Sequence, residues 1–273
     1  DLLDSLQHQY RVFSYENNQP KWSARAQASS IVQGAGGVPY RLILPIPEVA
    51  NDCLIYGVDI GHDHREKRIS RVVVSVTDQY GLHLASIWMR QKLNEAAGNE
   101  ALRKMLLKAR KVAQFASGTE AKASIILRDG RIPNTRKGSG AECLDTYRNS
   151  LGPDTTIVEC RKRGNPIMYF DGSKTLAPAG CACSPENSDV RFVCTHDAPQ
   201  GMASILKVHI PEGGDGLSIG LDATCRIITG LCYSPSLGLR PHLPGPIYWA
   251  DGIGATARNN YQFSGQHTYA FTG

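Results

Sequence analysis

The chain has 273 residues and a formal net charge of +5, with 41% hydrophobic and 20% charged residues. That composition excludes a disordered tract, a collagen-like repeat and a bundle of membrane helices, and the length allows one large core or two modest ones. No run approaches the apolar length needed to span a bilayer, and Asp1 to Leu6 lacks a basic region followed by an apolar core. A cytoplasmic protein is expected, starting abruptly as a fragment would.

In chain order, residues 22–32 carry apolar or small side chains at helical spacing (Ala24, Ala28, Ile31, Val32), and Gly34, Gly36 and Gly37 would end that helix. Residues 53–60, 70–77 and 82–89 read as three consecutive strands, with Asp78 to Gly81 as a turn, which makes an antiparallel meander. Leu102, Met105, Leu106, Ala109, Val112, Ala113 and Ala116 then form one face of a helix, with Asn99 as its N-cap and Gly118 at its end. The opposite face is Arg and Lys.

A strand over 123–129 follows, then a polar, helical connection over 141–150 and a further strand over 155–160. Two more strands, 189–194 and 202–210, are joined through residues 195–201. Residues 215–233 suit a helix after Gly216, and 244–258 suit a proline-bounded helix carrying Asp251. Eight cysteines are scattered with one C-x-C, Cys181 and Cys183, and no C-x-x-C. Cys53, Cys160, Cys194 and Cys225 lie in apolar runs, as reduced buried thiols would, and the C-x-C is a thin basis for a zinc site.

Two carboxylates stand out because each is attached to an apolar run. Asp129 ends Ala123-Ser124-Ile125-Ile126-Leu127-Arg128 and precedes Gly130, so it sits at a strand tip; an Asp before Gly is also a common turn opening. Asp59 lies within Cys53 to His62, and an ionised group inside an apolar strand is costly unless it is paired or binds a metal. Positive residues cluster at 65–71, 103–111, 128–137 and 161–163, where they either track a phosphate backbone or form solvated faces.

Three antiparallel strands, then helix and strand, is the order of the α/β RNase H-like fold, a mixed sheet flanked by helices whose first and fourth strands are neighbours. Adjacent parallel strands would bring Asp59 and Asp129 to one end.

Along nearly its whole length the chain resembles the PIWI domain of the Argonaute superfamily, and more closely a prokaryotic Argonaute-like branch. Gly57-Val58-Asp59-Ile60-Gly61-His62 resembles the first catalytic strand of that family, and Arg128-Asp129-Gly130 its second catalytic motif. Glu159 to Pro166 is similar to the basic strand end, Thr195-His196 with Gln200-Gly201 to the Ser/Thr-His and Gln-Gly step, and Pro244 to Asp251 to the closing Pro-x-Pro segment. Gly36-Gly37-Val38-Pro39 resembles the exit from the preceding MID domain, so residues 1–45 are expected to be the end of a MID-like domain and 46–273 the PIWI domain.

The resemblance implies a guide-directed endonuclease that cuts one strand of a guide-target duplex with two Mg²⁺ or Mn²⁺ ions. Its implied catalytic set is Asp59, Glu95, Asp129 and Asp251, with Asp59, Asp129 and Asp251 as metal ligands. The glutamate comes from a mobile finger, and Glu100 is the alternative to Glu95, although a first-turn glutamate also suits the helix dipole. Oxygen ligands suit such cations, and a cation pair activates water while stabilising the leaving 3′ oxygen.

Nucleic-acid contacts are implied for Gln9, His62, Arg161, Lys162, Arg163, His196 and Gln200, and the implied partners are a guide strand, its complementary target, upstream domains of the same protein and an associated effector. Ser30 and Gly34 replace the lysines that grip a guide's 5′ phosphate in the family. Two alternatives stay open: a catalytically silent module that binds guide and target for a partner effector, and an RNase H-like nuclease that works without a guide.

Overall fold

A computed structural model describes residues 42, 44–62, 69–92, 96–133, 140–169, 176–186, 188–196, 204–233, 243–257 and 268–270. The expected helix at 22–32, and with it almost all of the MID-like segment at 1–45, lies outside the described residues. From Ile46 onward the chain packs on the sheet: Ile46 is buried, and its N–H donates to the Gln79 carbonyl at 2.8 Å.

Among the described residues the strands are β1 (Cys53–His62), β2 (Ile69–Thr77), β3 (His83–Lys92), β4 (Ala123–Asp129), β5 (Thr155–Arg161), β6 (Ala182–Cys183), β7 (Val190–His196), β8 (Ser204–His209) and β9 (Thr268–Ala270). They form one mixed sheet in the order β6-β7-β8-β5-β4-β1-β2-β3-β9. β1, β2 and β3 are the expected antiparallel meander, while β4 lies parallel to β1 and β5 parallel to β4. The RNase H-like expectation that the first and fourth strands are neighbours is therefore met. Both β1 and β4 are buried over nearly their whole length, as strands covered on both faces must be.

The helices are α1 (Asn99–Ser117), α2 (Leu144–Leu151), α3 (Gly220–Cys232) and α4 (Gly245–Ala257). One core lies under α1 and α2, where Leu102, Met105, Leu106 and Ala109 meet Tyr56, Val58, Val72 and Val74. A second lies on the other sheet face under α3 and α4, where Ile227, Leu231 and Ile247 meet Ile55, Leu127 and Val158. Side chains alternate along a strand, so Val58 and Asp59 belong to opposite faces. Asp59 faces the α4 side.

Two details differ from the sequence reading. Gly98, not Asn99, is the N-cap of α1, in extended backbone; Asn99 Oδ1 instead accepts a hydrogen bond from Thr146 Oγ1 at 2.8 Å, tying α1 to α2. The segment before α2 pins that start: Gly98 forms a bridge with Ala141, and Asn99 N–H donates to the Gly140 carbonyl at 2.8 Å. α3 starts at Gly220 rather than near 215, since the Asp215 carboxylate holds residues 215–219 in a turn. It accepts from Ile219 N at 3.1 Å, Gly220 N at 2.9 Å and Thr156 Oγ1 at 2.9 Å. No helix among the described residues is long and apolar enough to cross a membrane.

Candidate metal centre

The parallel pairing of β1 and β4 runs in register up to Val58 opposite Arg128, so the next residue on each strand is an aspartate on the same face at the same end. Asp59 and Asp129 thus become neighbours through backbone geometry alone. The third carboxylate arrives on α4, which crosses β1 and β2. Its close approach depends on Gly57, where a Cβ would stand 2.2 Å from the Pro246 carbonyl carbon. Ser75 adds a second fastening by donating its hydroxyl to the Pro246 carbonyl.

Ligand oxygens of Asp59, Asp129 and Asp251 lie within 4.8 Å of one another. Asp59 is buried at 7% exposure, Asp129 is half-buried and Asp251 is exposed, so the cluster opens from a dry floor to a wet rim. Asp251 is the seventh residue of α4, beyond its first turn. Its position has no account in the helix dipole, which acts within the first turn.

Burial, then the negative charge of Asp129, push the Asp59 carboxyl from its ordinary 3.8 up to about 7, with Lys162 opposing the shift. Lys162, just past the end of β5, sends its ammonium into the cluster, 2.6 Å from Asp129 Oδ2 and 2.9 Å from Asp251 Oδ1. Burial alone would lower the Lys162 pKa, but Asp129 and Asp59 more than reverse that and hold it above the ordinary amine value. The all-oxygen donor set suits Mg²⁺ or Mn²⁺, and a cationic head already sits among the carboxylates; by both criteria the residues fit a divalent cation.

The other expected site residues divide. Lys162, one of the expected nucleic-acid contacts, bridges two carboxylates. Of its chain neighbours, Arg161 is half-buried and, one residue after Cys160, on the opposite sheet face, and Arg163 is exposed past the strand end. His62 lies three residues beyond Asp59, hence on the opposite sheet face, with Nδ1 3.0 Å from Ser70 Oγ. Glu100 pairs with Arg103 at 3.0 Å on the α1 surface, and that hydrogen bond lowers its pKa. Glu95, Gln9 and Gln200 lie outside the described residues; His196 ends β7, and its side chain is likewise outside them.

Two of the basic clusters owe part of their charge to structural roles. Arg128 is 3% exposed and pairs with Glu142, 0% exposed, at 2.7 Å. Tyr147 donates its hydroxyl to the same Glu142 at 2.7 Å, so the carboxylate is fully satisfied. Arg110 donates to the carbonyls of Leu151 and Ala121 at 3.1 and 2.6 Å. The sequence reading missed Glu142, Gly57 and the inward turn of Lys162. Only Lys162 had a usable signal, a lysine at the end of the strand next to β4.

Solved structures with this architecture include Clostridium butyricum Argonaute bound to a guide DNA and a 19-mer target DNA, with a TM-score of 0.69 and 17% identity over 90% of this chain and 32% of that one. Marinitoga piezophila Argonaute in complex with 5′ OH guide RNA matches with a TM-score of 0.62 and 18% identity over 86% of this chain and 34% of that one. The C-terminal lobe of a budding yeast Argonaute matches with a TM-score of 0.60 and 17% identity over 76% of this chain and 47% of that one. No protein-family model matches the chain, and neither does any curated protein. The fold is that of an Argonaute PIWI domain, and the chain spans between about a third and a half of the length of these structures.

Proposed function

We propose that a chain with this PIWI fold is the catalytic part of a guide-directed endonuclease that hydrolyses one strand of a guide-target duplex with divalent metal ions. The observation that carries this reading is the convergence of Asp59, Asp129 and Asp251 from three separate elements onto one point. Three acidic groups at that spacing repel one another; protonation of Asp59 and the Lys162 ammonium relieve part of that repulsion, and a divalent cation would relieve it further. Two Mg²⁺ or Mn²⁺ ions, when bound, would activate water and stabilise charge on the leaving 3′ oxygen.

The chain's own residues take distinct parts. Asp59 supplies a ligand fixed by the sheet and shielded from water, Asp129 a ligand at the strand tip, and Asp251 one at the open rim. Glu95 is the proposed fourth ligand, and Glu100, on the α1 surface beside Arg103, is the alternative. Arg163, exposed past the end of β5, and Arg161 are the basic residues proposed to contact a backbone phosphate, contacts that position a strand without reading its sequence.

The test is a cleavage assay on the full-length protein with all four RNA and DNA guide-target combinations, with and without guide, in Mg²⁺ and Mn²⁺. Asp59→Ala and Asp129→Ala should each abolish cleavage and leave duplex affinity nearly unchanged; full activity in either removes the assignment. Cleavage that needs no guide supports the unguided nuclease instead. One observation favours the silent binding module: the Lys162 ammonium already bridges Asp129 and Asp251. Guide-dependent binding with no cleavage in any metal would establish it.

A further inference from the structure

The carboxylate cluster carries its own cation. Lys162 reaches it from the first position beyond β5, with its side chain 25% exposed and its ammonium in contact with one oxygen each of Asp129 and Asp251. The backbone here is outside the strand and turns at once through Gly164, at φ +72°. A four-carbon stem on such a base lets the ammonium head change place without moving the sheet. Asp251, which Lys162 touches at the rim, is 50% exposed, so the head sits between the dry floor and solvent.

We infer that Lys162 is an exchangeable internal cation that occupies the carboxylate cluster until a divalent metal displaces it, and that it then turns to the phosphate of a bound strand. The inference rests on the metal-dependent reading above and adds its regulation. The ammonium contacts one oxygen of Asp129 and one of Asp251, and a dication held by the same two carboxylates would stand close enough to repel it, so metal competes with the ammonium. A phosphate at the rim gives the displaced ammonium a new anionic partner, so nucleic acid and metal each favour the other's binding, by the same factor in either direction. The device keeps the site closed to stray cations until a strand is present.

The experiment is a Mn²⁺ titration of the full-length protein, followed by the electron paramagnetic resonance signal of free Mn²⁺, with and without a guide-target duplex. Without nucleic acid, Lys162→Met should bind Mn²⁺ more tightly than wild type, by roughly 5- to 150-fold, the usual range of such couplings. The same variant should lose the gain in Mn²⁺ affinity that duplex brings to wild type. Lys162→Gln keeps a polar head without the charge and should follow Met, while Lys162→Arg should stay near wild type. A merely structural lysine predicts the opposite sign, weaker Mn²⁺ binding in every variant. In the absence of metal, Lys162→Met should melt at a lower temperature than wild type, and Mn²⁺ should restore it.

Equal or weaker Mn²⁺ binding by both uncharged variants overturns the inference alone and leaves the metal site standing. If neither wild type nor variant binds Mn²⁺ above the level of an Asp59→Asn, Asp129→Asn double variant, the metal-dependent reading fails and the inference with it.

Discussion

Of the three clustered carboxylates Asp59 is the most withdrawn from water, and its raised pKa ties stability to pH in a definite direction. A carboxyl whose folded-state pKa lies above its unfolded one favours folding while it is protonated. That contribution is complete below about 3.8 and is lost as pH rises through about 7. In chelator, the wild-type denaturation midpoint should therefore fall across that window relative to Asp59→Asn, which has no proton to lose. Parallel midpoint curves would show that Asp59 titrates normally. Asp251 behaves differently, because its side chain is 50% exposed and lies past the first turn of α4. Asp251→Asn should change stability by no more than about 0.5 kcal/mol. Cleavage should fall by orders of magnitude at low Mg²⁺, with partial recovery at high Mn²⁺; wild-type cleavage at low Mg²⁺ would place that ligand elsewhere.

Two glycines of very different standing bear on α4, the element that completes the cluster. A Cβ at Gly57 would meet Pro246 backbone at 2.2 Å, whereas one at Gly252 meets nothing within 4 Å. Gly57→Ala must push the helix off β1, at a cost of about 1 to 3 kcal/mol or more, and should reduce cleavage more than binding by carrying Asp251 away. Gly252→Ala, on the exposed side of the same helix, should stabilise by up to about 1 kcal/mol and leave cleavage intact. Urea denaturation paired with cleavage rates distinguishes the two. The same helix shows how far the sequence could be read: Pro244 and Pro246 announced its start, and Asp251 was found by its place in the motif. The need for Gly57 was invisible, because a close approach between elements leaves no periodic trace in either. The N-cap of α1 was misassigned for a related reason, since Asn99 had a partner on α2 that only the tertiary structure supplies.

At the scale of the whole molecule, the strands and their order were legible because buried strands write themselves as apolar runs, and the pairing of β1 with β4 followed from that order. Charge was less legible. Arg128 and Arg110 looked like parts of a phosphate track and are instead used up on Glu142 and on two carbonyls. If the remaining basic residues grip a duplex, affinity should drop with salt by about 0.9 in log K per phosphate neutralised. Replacing Arg161 and Arg163 by Ala should then lower affinity for all sequences alike and flatten that slope, as titrations at several ionic strengths would show. An affinity insensitive to salt would point to recognition by other means.

The span of the cluster along the chain has a consequence for the order in which the protein is made. Asp59 and Asp129 can meet as soon as β4 has joined β1, but Asp251 belongs to a helix that emerges from the ribosome more than a hundred residues later. Until then, Val73 and the bare backbone at Gly57 have no cover, for Ala250 and Ile253 of α4 are what bury that part of the sheet. Exposed apolar strand surface of this kind attracts other chains and the chaperones that guard against them. A chain stopped before Gly245 should therefore emerge as a stickier nascent product, retained by chaperones and pelleting more readily, than the chain that carries both α4 and β9.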